Sequence, residues 1–66
     1  MEDYQERVIV EQKELSEKIV NLTIFLTSYE KVKVLNEQDW NYLNAQLDAM
    51  LEYNLVLQMR IRNFKE

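Results

Sequence analysis

No cysteine, histidine, glycine or proline occurs in this chain, and each absence closes off a class of structure or chemistry. Without cysteine there are no disulfides and no zinc–thiolate sites. Without histidine the usual general base, the commonest transition-metal ligand and the histidine pH switch are all missing. Turns and strand bends normally draw on glycine and proline, so a chain that lacks both, with 47% hydrophobic and 30% charged residues, is read as almost wholly helical. At 66 residues there is room for one domain, residues 1–66, in the size range where a lone core is marginal. With disulfides and zinc–thiolate sites excluded, oligomerisation is the stabiliser left.

Basic charge is also scarce. A net charge of −4 gives no footprint for a long nucleic acid, although the eight basic residues can still serve a small anion if they are grouped. No apolar run approaches the roughly 18 residues of a membrane span. The N-terminus, with Glu2, Asp3 and Glu6, is the reverse of a basic signal-peptide start. The chain is therefore expected to be soluble and intracellular, with Met1 opening a short reading frame and no membrane partner.

What is present is helical periodicity. From Trp40 to Phe64 the residues Trp40, Leu43, Leu47, Met50, Asn54, Leu57, Ile61 and Phe64 follow steps of three and four, the seam of a packed helix. A second seam lies one residue away: Tyr42, Gln46, Ala49, Tyr53, Val56 and Arg60. An earlier helix carries Val8, Gln12, Leu15, Ile19, Leu22 and Leu26 at the same steps, with Ile9, Val10, Val20, Ile24 and Phe25 outside them. Asp3 and Glu6 have capping-box spacing, placing the first helix start near Tyr4, and Glu14 and Lys18 are spaced for an i, i+4 pair. Asn36 is a good N-cap for the second helix, with Asp39 at the capping-box position and Leu35 and Trp40 at the sites of a hydrophobic staple.

Between the helices, Ser28 is placed to cap a short turn through Tyr29, Glu30 and Lys31, and Val32 and Val34 suit a bent, partly buried connection. Two helices of roughly 24 and 28 residues, each about 35 to 42 Å long, joined by about ten residues, fold into an antiparallel hairpin. The fold class is all-α. Phe25, Ile24, Leu51, Tyr53, Leu55, Val56 and Met59 then remain on the outer faces, more apolar surface than a monomer normally exposes. Gln12 and Asn54 interrupt the two seams, and polar seam residues more often fix register or oligomer state than bind a ligand.

Catalysis has little to work with. A nucleophile would have to be Ser16, Ser28, Thr23 or Thr27, and none sits in a recognisable constellation. Glu11, Glu14 and Glu17 read as a solvated face, and no metal site or cofactor is expected. Anion binding has better material in Arg60, Arg62 and Lys65 near the C-terminus, with Lys31 and Lys33 in the connection. Cations at a helix end also complement its dipole, but Arg60 closes an otherwise apolar seam, where a guanidinium needs an anionic partner and phosphate suits its fork geometry. Tyr4, Tyr29, Tyr42, Tyr53 and Trp40 offer rings for packing or for stacking a base.

Three pieces of the chain carry a resemblance: Tyr4-x-x-Arg7-Val8-Ile9; Leu15-x-x-Lys18-Ile19-x-x-Leu22-Thr23-x-Phe25; and Leu43-x-x-Gln46-x-x-x-Met50-x-x-Tyr53-x-x-x-Leu57-x-x-Arg60-Ile61-x-x-Phe64. Together they resemble the small phage anti-CBASS proteins, sponges for the cyclic oligonucleotides of bacterial anti-phage signalling. The resemblance implies a compact homohexamer of helical hairpins, without catalytic activity, working in the cytoplasm of the infected bacterial host. It implies cyclic dinucleotides held between paired protomers and, in some members, cyclic trinucleotides in separate pockets near the three-fold axis. By motif, Tyr4 would be a candidate for stacking a base near the N-terminal pocket. Leu22, Thr23 and Arg60 would line the trinucleotide pocket, with Arg60 meeting phosphate. Family members often carry Lys directly before Leu-Thr, where this chain has Asn21; Lys18, one turn earlier, is the substitute at hand.

Two functions of different class follow. One is sequestration of cyclic di- or trinucleotides without cleavage; the other is a structural or adaptor coiled coil that binds a protein helix through its surplus seam. Both the apolar surplus and the resemblance lead to an obligate oligomer. Sedimentation at micromolar concentration should give a mass several times the 8.1 kDa of one chain; a folded monomer there refutes it.

Overall fold

The computed structural model describes residues 2–64. Helix α1 spans Asp3–Leu26, a short α2 spans Tyr29–Val32 and α3 spans Glu37–Arg62. α1 and α3 pack against each other as an antiparallel hairpin, and the described residues contain no strand. No helix is long and apolar enough to cross a membrane.

The main seams are the packed ones. Val8, Leu15 and Leu57 form the core, Leu57 with no exposed surface, and Ile19, Met50, Ile61 and Phe64 close around it. Leu26 is buried as well, at the far end of α1. The second seam stays in solvent: Tyr42, Tyr53 and Val56 are exposed, as are Leu51, Leu55 and Met59 beside it. Ile24, Val10 and Val20 are exposed on α1, whereas Ile9 and Phe25 are half-buried. Trp40 departs from the seam pattern and is 39% exposed. In the register set by Gln12 and Asn54 it lies level with Leu26, the last residue of α1, so the partner helix ends beside it.

That register is held by a polar cluster inside the seam. Gln12 Nε2 donates to Asn54 Oδ1 at 3.1 Å and to Ser16 Oγ at 2.8 Å, and Ser16 Oγ lies 3.4 Å from the same Asn54 oxygen. Sliding α3 by one turn would break these bonds and leave three half-buried polar groups facing apolar neighbours.

Local chemistry explains the helix ends. The capping contact at the start of α1 is one residue earlier than the Asp3/Glu6 spacing predicts: Glu2 is the N-cap, and its N–H donates to Gln5 Oε1 at 3.0 Å. Gln5 lies on the packed side of α1 and is buried, while Glu6 faces solvent. An uncharged amide can reach back from that position without the desolvation cost of a carboxylate. At α3 the expected cap is present, Asn36 Oδ1 accepting from Asp39 N–H at 2.7 Å. The short turn after Ser28 also forms, but through the Ser28 carbonyl, which accepts from Lys31 and Val32 N–H, and not through its hydroxyl. Val32 is half-buried and Val34 exposed. Thr27 and Asn63 end the long helices with right-handed backbone, so neither end needs glycine. Among the described residues the ion pair that forms is Lys33–Glu30 at 2.7 Å; Glu14 and Lys18 both extend into solvent.

The hairpin measures 48 × 16 × 14 Å, with a radius of gyration of 15.0 Å, where a compact chain of this length would have about 11 Å. Its accessible surface is 5448 Å², about 950 Å² more than the roughly 4,500 Å² of a compact monomer of this mass.

Leu57→Ala should cost about 2–5 kcal/mol, since a fully buried leucine leaves a cavity, and thermal denaturation should show a large fall in Tm. Asn54→Ala should cost about 1–2 kcal/mol by stranding Gln12 and Ser16. The double change Gln12→Leu with Asn54→Leu should recover stability in the same assay.

Candidate ligand-binding cleft

The antiparallel fold brings the first turn of α1 beside the last turns of α3. Past Asn63 one further tight turn forms, Phe64 N–H donating to the Ile61 carbonyl at 3.1 Å, and the Phe64 side chain packs against the core cluster. There it meets Tyr4 edge to face, with ring centroids 6.1 Å apart and planes at 83°. Tyr4, Gln5, Arg60, Asn63 and Phe64 together line an open cleft of about 360 Å³. Among the described residues its lining is one guanidinium, two amides and two aromatic rings, with no carboxylate. Arg60 lines this cleft and, among the described residues, forms no ion pair.

The other clefts suit an anion less well. One, of about 480 Å³, is lined by Asp3, Glu6, Arg7, Val10, Glu11 and Glu14, four carboxylates to one guanidinium. A second, about 430 Å³, is formed by Ser16, Glu17, Val20 and Asn21 and has no cation. A smaller one of about 250 Å³ adjoins the Arg60 cleft through their shared Asn63 and adds Arg62 and Met59. Arg60 and Arg62 thus group at the C-terminal end of α3, beside the acidic first turn of α1. Lys65, the third cation expected there, lies outside the described residues. Lys33 is engaged at the opposite end, with Glu30 and 5.9 Å from the centre of the Tyr29 ring.

Of the site residues expected from sequence, the fold therefore brings Tyr4 and Arg60 together in one chain. Lys18, Leu22 and Thr23 lie about 21, 27 and 28 Å from Tyr4 along α1, at 1.5 Å per residue. Lys18 and Thr23 are exposed and Leu22 is half-buried. A site that joins Arg60 to Leu22 and Thr23 consequently needs more than one copy of the chain. Gln5, Asn63 and Phe64 were not anticipated as cleft residues. For Asn63, the C-cap of α3, the signal was available: it stands three positions after Arg60, the spacing that places side chains on one helical face.

The molecule is a small helical hairpin with one arginine and two aromatic rings lining a cleft at one end. A family model described as Sequestin matches residues 2–63, and the chain belongs to the Sequestin family. The match runs through both long helices and includes Tyr4, Gln5, Arg60 and Asn63. No curated protein and no solved structure matches the chain. The family's name denotes sequestration.

Proposed function

We propose that the protein sequesters cyclic di- and trinucleotide second messengers, holding them uncleaved, and that it acts as a phage immune-evasion protein in the cytoplasm of an infected bacterium. The observation that carries this reading is the cleft in which the Arg60 guanidinium lies beside the Tyr4–Phe64 ring pair, in a chain of the Sequestin family. A guanidinium recognises a phosphodiester through two parallel N–H donors. A ring with a free face accepts a base whatever its identity. Supporting it, the surplus surface of the hairpin is close to the roughly 800 Å² per partner that a stable interface buries. In a homo-oligomer, a hexamer by resemblance, a second copy supplies Leu22 and Thr23 to Arg60, with Lys18 as the further cation where Asn21 replaces the family's lysine. Several copies of one arginine around a symmetry axis give an acidic protein a basic pocket.

Calorimetry against a panel of cyclic di- and trinucleotides tests this directly. Binding is expected, and no heat at protein concentrations near 50 μM, roughly the −6 kcal/mol level, rejects the reading. Arg60→Ala should weaken trinucleotide binding by about tenfold or more, or ~1.4 kcal/mol, with the oligomer intact by sedimentation. The nucleotide recovered after denaturing the complex should be unchanged. A dimer that binds no nucleotide and leaves Tyr53, Leu55 and Val56 open would support the adaptor coiled coil instead.

A further inference from the structure

We infer that Gln12 and Asn54 are positioning residues for nucleotide capture: their bond across the seam selects one inter-helix register from several that the apolar seam accepts, and so fixes where Arg60 stands relative to the ligand residues of α1. The inference rests on the sequestration reading and holds whichever copies of the chain build each pocket.

The apolar seam does not fix the register by itself. In the hairpin Gln12 stands opposite Asn54. Moving α3 by one turn, about 5.4 Å, would set Val8 against Ile61 and Leu22 against Leu47, apolar pairs again. The opposite shift would set Leu15 against Leu47 and Ile19 against Leu43. The connection has length to give in either case. It includes the single turn of α2, Tyr29–Val32, and unwinding a helical residue lengthens its span from about 1.5 to about 3.3 Å.

The two amides are what tell the registers apart. Both protons of Gln12 Nε2 are used, one on Asn54 Oδ1 at 3.1 Å and one on Ser16 Oγ at 2.8 Å. After the shift that pairs Val8 with Ile61, Gln12 would face Leu57, which has no exposed surface, and Asn54 would face the buried Leu15. An amide set against a buried leucine loses its partner and its water together. Leucines at positions 12 and 54 would add apolar contact in every register, so what the amides contribute is alignment.

Alignment bears on capture because the ligand residues divide between the helices. Tyr4, Lys18, Leu22 and Thr23 belong to α1 and Arg60 to α3. In a symmetric assembly every copy carries the same register. One slip therefore displaces each Arg60 by about 5.4 Å relative to α1 of its own chain, and changes the spacing of guanidinium and α1 side chains in every pocket. A charge-assisted hydrogen bond to phosphate does not survive a displacement of that size.

The test compares three forms of the full-length protein: the wild type, Gln12→Leu with Asn54→Leu, and the exchange Gln12→Asn with Asn54→Gln, which keeps an amide on each side of the seam. Register is read by NMR from the cross-peak between the Tyr4 and Phe64 rings, whose centroids lie 6.1 Å apart. Affinity is read by calorimetry with cyclic di-adenylate, cyclic di-guanylate, cyclic GMP–AMP and cyclic tri-adenylate. The double leucine protein should melt at or above the wild-type Tm, yet show several sets of ring resonances and a weakened Tyr4–Phe64 cross-peak. With three registers equally populated, a pocket drawn from two copies keeps about one part in nine of its competent form, so affinity should fall about ninefold. The exchange should keep the cross-peak and bind within about twofold of the wild type, a rescue that added apolar packing does not provide. A double leucine protein that keeps a single register, or that binds as tightly as the wild type, overturns the positioning role and leaves sequestration standing. One that does not fold overturns it as well, because the seam then does not accept leucine at these levels. A wild type that binds none of the probes overturns sequestration and the positioning role with it.

Discussion

Two helices have one interface between them, and every other property of this chain follows from what that interface can and cannot cover. Each helix can turn a single stripe toward its partner. The stripe through Val8, Leu15 and Leu57 fills the available space so completely that Leu57 has no exposed surface, while the stripe through Tyr42, Tyr53 and Val56 is left in water. No rearrangement within a hairpin can bury both, because the stripes lie on different sides of the same cylinder. The rod shape expresses the same limit: a 48 Å length with a cross-section near 15 Å leaves every residue close to the surface.

The polar cluster of Gln12, Ser16 and Asn54 stands in the middle of this interface and links packing to the site. An apolar seam of leucines and isoleucines tolerates a shift of one turn, about 5.4 Å, because the pattern repeats. Amides tied across the seam do not tolerate it. Since Tyr4 and Gln5 come from one helix and Arg60, Asn63 and Phe64 from the other, a shift by one turn would dissolve the cleft while leaving a hydrophobic contact intact. The cluster therefore preserves the geometry of the cleft as much as the stability of the hairpin.

Most of the fold was legible in the sequence because periodicity states which side of a helix is apolar. The seam from Val8 to Leu26, the division of α3 into a packed and an exposed stripe, the Asn36 cap and the ten-residue connection all follow from spacing alone. The misreadings came where two local solutions had similar chemistry. Asp3 with Glu6 and Glu2 with Gln5 both have capping-box spacing, and only the burial of position 5 on the packed side decides between them. Trp40 has seam spacing, but its exposure depends on where the other helix ends. The cleft was half legible. Tyr4 and Arg60 could be named by residue type and by resemblance, yet their meeting in one chain depends on the inter-helix register, which a single-helix pattern does not contain.

The register also bears on how copies would assemble under the sequestration reading. Arg60 closes the exposed stripe of α3 at one end, and Tyr42 opens it at the other. Copies packed in parallel along this stripe would set Arg60 against Arg60, two like charges at close range, which is unfavourable without an anion between them. Antiparallel packing sets Arg60 beside Tyr42 of a second copy. By the pairing of Gln12 with Asn54, Tyr42 stands level with Ile24 of its own chain, next to Thr23 and Leu22. One contact mode thus buries the surplus seam, separates the guanidiniums and carries each arginine toward the threonine that lies about 28 Å from the cleft within a single rod, at 1.5 Å per residue.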